Sequence, residues 1–358
     1  MFAALESAFI LTCGRDKPMF SWRGTAGARL GTMALLTMAV ILMGSMAVPG
    51  SGLAKEAPVV LKFAHCQKTG HPYDIGAQKF AELVAEKTGG KVKVQIYPNS
   101  VLGGGVQAVD GVRMGTIDFT AEHTGLYEGY VKELGVLGLL SFYRDWDHFW
   151  KVVDGDVGQE FAKKLESHGF KVLGWFRNGW YHVCTRQKVE KPSDLRGLKF
   201  RSKPGSAMAV MQDKAFGTVS TSVDYSELYS GFQLGVVDGM VQNVTNLRDT
   251  TLYEVTPYIC LMGTMYATNP LVVSMKRFQS LPKDIQAALV EAGREACAYE
   301  RKMSEEAEVR DLEFLKAQPK VVMTSPDRAL WDATWKNIES WAYEFYGKDL
   351  IERLKNVK

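Results

Sequence analysis

Catalytic signatures are missing from this chain of 358 residues. It has no nucleophile elbow, no phosphate-binding loop and no paired-cysteine zinc site, which removes the usual hydrolase, nucleotide and structural-zinc readings. The glycine-rich stretch GGGVQAVDG (103–111) fails the dinucleotide spacing, and no strand feeds it. Charge of one sign is lacking as well: 43 basic and 40 acidic residues give a net charge of +3. Nucleic-acid binding needs a concentrated basic face, and none is visible. Cysteines are few and irregular. After residue 54 they are Cys66, Cys184, Cys260 and Cys297, with no CxxC among them. An exported chain can form disulfides, but this spacing does not demand them, and free, mostly buried thiols are expected. His65, His71 and His123 do not form a metal signature. No metal or other cofactor is expected.

Long apolar runs are absent with one exception. Residues 30–48, LGTMALLTMAVILMGSMAV, carry no charge; Arg23 and Arg29 precede them, and small residues, Leu53-Ala54 and Lys55 follow. A positive region, an apolar core and a small-residue site make a secretory signal peptide cut near Ala54. An uncleaved anchor is the rival, because the run is about long enough to span a bilayer. No cysteine follows the small residues, which disfavours a lipoprotein. The expected compartment is the periplasm. The remainder is long enough to bury a full core and to divide into two lobes.

Strand and helix signals alternate along that remainder, which argues an α/β fold. Val59 to Phe63 reads as a strand. From Asp74 to Lys87 the apolar positions Ile75, Ala77, Phe80, Leu83 and Val84 share one helical face, and Gly89-Gly90 stops that helix. Val92, Val94 and Ile96 then alternate on one side of a strand. Further strands are expected near Phe170 to Phe176, Tyr181 to Thr185 and Tyr266 to Ser274. From Leu281 to Ala317 Pro282 sits where a helix can begin, and only Gly293 interrupts the run that follows. At 1.5 Å per residue it reaches roughly 50 Å, more than one lobe's width. A weak repeat links Gly111-x-x-x-Gly115-x-x-Asp118 to Gly231-x-x-x-Gly235-x-x-Asp238. Each copy reads as helix, glycine cap and short strand, as two similar lobes facing a cleft would require.

The stretch from Asp194 to Asn246 is the most telling. DLRGLKFR (194–201) makes a polar turn at Gly197 and a strand that delivers Arg201. SELYSGFQLGVVDG (226–239) makes a helix with apolar Leu228, Phe232 and Leu234, capped at Gly235, then a strand over Val236-Val237-Asp238. Gln242, Asn243 and Asn246 follow. An arginine at the end of one strand and amides just past another can converge on a carboxylate. This combination resembles the solute receptors of TRAP transporters, the DctP-type extracytoplasmic binding proteins. LKFAH (61–65), FAELVAEKTGGKVKVQIYP (80–98), VLGGG (101–105), VRMGTIDFT (112–120), GLLSFYRDWDH (138–148) and LYEV (252–255) match the family's order and spacing.

The resemblance implies a two-lobed periplasmic-binding-protein fold with a ligand cleft between the lobes and a long helix spanning both. It places the lobes at 55–180 plus 268–308 and at 181–267 plus 309–358. It implies a monomer that performs no chemistry and delivers an organic acid to a permease of a large and a small membrane subunit. Arg201 falls on the family's carboxylate-binding arginine; its planar guanidinium can grip both oxygens at once. Tyr181 stands where many relatives carry a second ligand-facing arginine, with Trp180 beside it and Arg177 four residues earlier. Tyr225 is placed against the ligand. The usual Gln-Glu-Asn after the Asp-Gly reads Met240-Val241-Gln242, with Asn243 next. Cys66 and His123 are placed at ligand-facing positions, with His65 and Glu122 adjacent. With aromatic surface in place of a second arginine, the expected ligand is an apolar or aromatic monocarboxylate, such as a keto or amino acid. A dicarboxylate or sugar-acid receptor and a sensor that partners a signalling protein are the alternatives.

Overall fold

In a computed structural model, which describes residues 57–203 and 205–358, the alternating signals become one mixed sheet. The expected leader, 1–54, lies outside the described residues. The first half runs β1 (Val59–Ala64), α1 (Pro72–Lys87), β2 (Val92–Tyr97), α2 (Gly105–Met114) and β3 (Phe119–Ala121). Helices α3 (Trp146–Asp154) and α4 (Asp156–Ser167) follow, then the long strand β4 (Phe170–Thr185). The second half repeats the order as β5 (Lys199–Ser202), α5 (Met208–Phe216), β6 (Val219–Ser222), α6 (Leu228–Gln233) and β7 (Gly239–Gln242), with α7 (Val244–Asp249) after it. A second long strand, β8 (Tyr258–Ser274), returns across the molecule. Then come α8 (Met275–Ser280), α9 (Lys283–Lys316), β9 (Val322–Thr324), α10 (Arg328–Asp332), α11 (Trp335–Tyr346) and α12 (Lys348–Lys355). Among the described residues no helix is long and apolar enough to cross a membrane.

The strand order is β2-β1-β3-β8-β4-β7-β5-β6, with β9 on β8. It reads alike from either edge. β1 is parallel to β2 and β3, β5 is parallel to β6 and β7, and the long strands β8 and β4 meet antiparallel at the centre. The glycine repeat is part of this symmetry. Gly115 and Gly235 both take positive φ, at 83° and 70°, where glycine is cheapest. Asp118 Oδ2 accepts from the Lys62 amide at 2.7 Å, and Asp238 Oδ2 accepts from the Lys199 amide at 3.0 Å. Each lysine sits in the same Leu-Lys-Phe triplet, 61–63 and 198–200.

Three expectations need correction. The strand placed at Val236 to Asp238 begins three residues later, because Asp238 spends both its amide and its carboxylate on Lys199 before the ladder starts. Leu234, assigned to the apolar face, is 78% exposed. The strands placed at 170–176 and 181–185 are one strand. Gly179, at φ 97°, makes a register shift instead of a break.

The long helix joins the lobes through their cores. Leu289 and Ala292 pack with Phe63, Phe80 and Val84 of the first lobe, whereas Leu315 packs with Leu228, Phe232 and Met240 of the second. Where α9 crosses β4, the approach is too close for side chains. A Cβ on Gly293 would stand 2.6 Å from the Leu173 Cβ and 3.1 Å from its carbonyl oxygen. Gly293→Val is therefore expected to lower stability by about 1–3 kcal/mol, the usual cost of overpacking. A urea midpoint equal to wild type would contradict this close packing. The last helices touch both sides: Lys132 donates to the Phe345 carbonyl at 3.1 Å, and Asn337 donates to that of Ala215 at 3.2 Å.

Candidate functional site

A cavity of about 570 Å³, its mouth included, opens where the carboxyl ends of β1, β3, β5 and β7 face one another. The first lobe lines it with Cys66, Gln67, Tyr73, Gly105, Val106, Glu122, His123 and Leu126. The second lobe adds Arg201, Lys203, Asp224, Tyr225, Gln242 and Asn246, and the crossing strands add Asn178, Tyr181 and Asn269.

Arg201 is the third residue of β5 and is 5% exposed. Its Nε donates to the Val223 carbonyl at 3.1 Å, which aims the guanidinium. Among the described residues no carboxylate pairs with it and no hydrogen bond occupies its terminal nitrogens. Burial works against its charge, but arginine keeps its proton in proteins. Lys203 follows two residues on and therefore points the same way. Its ammonium lies over the Tyr181 ring, 4.9 Å from the centroid. Burial, then the Arg201 charge, hold its pKa well below the ordinary lysine value, with Glu128 pulling the other way.

His123 accepts at Nδ1 from the Gly125 amide at 2.9 Å. Burial, then Lys203 and Arg201, keep its pKa well down. The neutral ring then carries its proton on Nε2, which is buried without a partner among the described residues. The Tyr73 hydroxyl is likewise unpartnered. Glu122 accepts from the Cys66 amide at 3.0 Å and from its thiol at 3.3 Å. Burial raises the pKa of this carboxyl, and burial with Glu122 pushes the Cys66 thiol up. A protonated thiol is no nucleophile at neutral pH.

The floor is an amide chain. Asn269 donates to the Ala121 carbonyl at 3.0 Å, Asn178 donates to Asn269 at 2.8 Å, and Asn243 donates to Asn178 Oδ1 at 2.7 Å. Asn243 Oδ1 then caps α7 by accepting from the Asn246 amide at 2.7 Å. Asn246 reaches back to Gln242 Oε1 at 2.9 Å, and His71 of the first lobe meets Asn246 Oδ1 at 3.0 Å. Tyr225 also bridges the lobes, donating to Gln67 Oε1 at 3.1 Å.

The structure thus gathers Arg201, Tyr181, Tyr225, Gln242, His123, Glu122 and Cys66 around one cavity. It puts the other three expected residues elsewhere. Trp180 packs against Gly263 and Tyr266, because neighbours on a strand face opposite sides. Asn243 is the helix cap just described. His65 is buried beside Asp74, 3.4 Å from its Oδ1. Arg177, four residues before Tyr181, is not in the cavity. It pairs with Glu308 of α9 at 2.5 Å and lies over the Trp146 ring, 4.3 Å from the centroid. Sequence reasoning passed over Lys203, which lies just past the end of β5, two residues beyond Arg201. Among the described residues no group of three or more acidic, histidine or cysteine side chains is placed to hold a metal. The arrangement offers two cations, a neutral imidazole donor and a floor of amides, which is chemistry for holding an anion and not for transforming one.

Comparison with known proteins agrees. The model of the bacterial extracellular solute-binding protein family 7, DctP, matches residues 63–345. The 2,3-diketo-L-gulonate-binding periplasmic protein of Escherichia coli is 29% identical over 90% of this chain and 98% of its own. A TRAP periplasmic solute binding protein from Sulfurospirillum deleyianum, with bound succinate, superposes at a TM-score of 0.79 with 30% identity, over 84% of this chain and 100% of that one. One from Polaromonas, bound to D-erythronate, gives 0.79 with 25% identity, over 84% and 99%.

Proposed function

This chain belongs to the bacterial extracellular solute-binding proteins of family 7, the DctP-type receptors of TRAP transporters, and on that premise we propose that it holds a small organic acid by its carboxylate on Arg201 and delivers it to a membrane permease. Such proteins bind and do not catalyse. The observation that carries the reading is a buried arginine, aimed into the cavity by one hydrogen bond and, among the described residues, ion-paired with no carboxylate. The lobes would divide at 55–180 plus 268–308 and 181–267 plus 309–358, and the permease would present a large and a small subunit. Export would remove residues 1–54, which N-terminal sequencing of the native protein checks. A permease gene next to this one separates transport from a sensing role.

The far end of the ligand meets Lys203 and His123. Both weigh against the apolar or aromatic monocarboxylate expected from Tyr181 and Trp180, as does the turn of Trp180 away from the cavity. The acids held by the E. coli, Sulfurospirillum and Polaromonas proteins are polar at both ends. A polar-ended acid is the reading supported here. A thermal-shift panel of organic acids tests it, since a ligand at 100 times its Kd adds about 2.7 kcal/mol. The expected hits are acids with a second anionic or hydroxyl-bearing end. If only aromatic or branched monocarboxylates shift the transition, the earlier expectation stands. Lys203→Met is expected to weaken an acid with a second carboxylate by about tenfold or more, while a monocarboxylate of equal size changes little. Equal losses for both, by calorimetry, would remove Lys203 from the second end.

A further inference from the structure

Glu128 lies outside the cavity, at the end of the short turn Thr124–Tyr127 that follows His123. Its carboxylate crosses from the first lobe to the second. Oε1 accepts from the Ser206 hydroxyl at 2.9 Å, and Oε2 accepts from the Ala207 amide at 2.6 Å. Ser206 in turn accepts from the Met208 amide at 3.2 Å, so one side chain organises the whole start of α5. That start follows Arg201 and Lys203 directly. Gly125 makes the approach possible, because a Cβ there would stand 3.0 Å from the Ser206 hydroxyl and 3.1 Å from His123 Nδ1.

We propose that Glu128 is a positioning residue, a clasp between the lobes that holds the β5–α5 connection over the cavity and so sets how long a bound acid stays. The inference rests on the reading of this protein as a receptor whose lobes close on a carboxylate. The clasp itself touches no ligand. The groups that face it are Lys203 from the β5–α5 connection, His123 from its own turn and the Tyr346 hydroxyl from α11.

The clasp is also sensitive to protons. Burial pushes the Glu128 carboxyl up to about 7, against the Ala207 and Ser206 hydrogen bonds and Lys203, which lower it. With the lobes apart it would return to an ordinary carboxyl value of about 4.3. Closure therefore takes up a proton between those limits. Its contribution is full below the lower value and lost as pH rises through the upper one. A protonated carboxyl can still accept from Ala207 and can donate to Ser206, as a glutamine would.

Amide exchange at Ala207 and Met208, corrected for intrinsic rates, tests this in the protein without added acid, with β2 as the control. Glu128→Ala is expected to speed exchange at both amides about tenfold or more while β2 keeps its protection. In wild type their protection should rise from pH 8 to pH 6. Glu128→Gln should retain protection and show no such pH dependence. Wild-type protection in the alanine variant, or equal loss in β2, would overturn the clasp, and so would an unaltered pH profile in the glutamine variant. With succinate and D-glucuronate as probes, the dissociation rate should rise in the alanine variant and the association rate should hold. A loss confined to association would also overturn it. Should neither probe bind, the receptor reading suffers and the exchange result still decides the clasp.

Discussion

Replacing Arg201 by alanine is expected to give a folded protein that has lost nearly all affinity for its acid. The guanidinium is buried, is aimed by its bond to Val223 and, among the described residues, is ion-paired with no carboxylate, Asp224 lying elsewhere on the cavity wall. Removing one partner of a buried, hydrogen-bonded charge pair costs about 2–5 kcal/mol, or roughly 30- to several-thousand-fold in Kd. Arg201→Lys should fail nearly as badly, because an ammonium cannot make two parallel hydrogen bonds to one carboxylate. Stability should move the other way. A buried cation without an ion-pair partner among the described residues is a cost of function, so the ligand-free alanine variant should melt no lower than wild type. Calorimetric titration and a melting curve check both halves. Near-native affinity would remove Arg201 from the carboxylate site.

Arg177→Ala should do the opposite. Its side chain is 7% exposed, and its guanidinium is shared among Glu308 at 2.5 Å, Ser304 at 3.5 Å and the Trp146 ring. All tie β4 to the long helix. Nearby Glu300 is buried, takes the Arg177 amide at 2.7 Å, and is pushed up to about 8 by that burial. Deleting the arginine strands Glu308, and breaking a buried pair costs about 3–5 kcal/mol. Glu308 keeps some solvent contact, which places the expectation at about 3 kcal/mol. Arg177→Met with Glu308→Gln should recover part of it, since the stranded charge is gone. Acid affinity at temperatures where the variant is folded should stay within about threefold, because the Arg177 side chain points to the long helix and not into the cavity that its neighbour Asn178 lines. A stable variant with a large loss of affinity would return Arg177 to the site.

The fold was legible wherever periodicity and glycine agreed. Val92, Val94 and Ile96 alternate as expected, α1 ends at the glycine pair, and α9 runs its full length. The glycine repeat also foretold the matched halves of the sheet. The site was legible where a strand ends in a charged residue, as at Arg201. It was not legible where side-chain direction decides. Trp180 and Tyr181 were both placed in the pocket, although adjacent strand residues cannot share a face. Asn243 and Arg177 were ambiguous for another reason. Their partners, Asn178 and Glu308, lie far along the chain, and no local pattern announces that a capping asparagine also donates to a distant amide, or that an arginine pairs with a distant helix.

The palindromic strand order bears on the time at which this protein can fold. β3 is completed by β8, with Phe119 beside Val273, and α9 arrives later still to cover Phe63 and Phe80. The first lobe therefore has no finished sheet and no sealed core until most of the chain is available. Contacts so distant in sequence must meet their loop-closure entropy before any burial repays it, which makes such topologies slow to form. A nascent chain would stay unfolded through most of its synthesis, the state in which a polypeptide can be threaded through a narrow translocon.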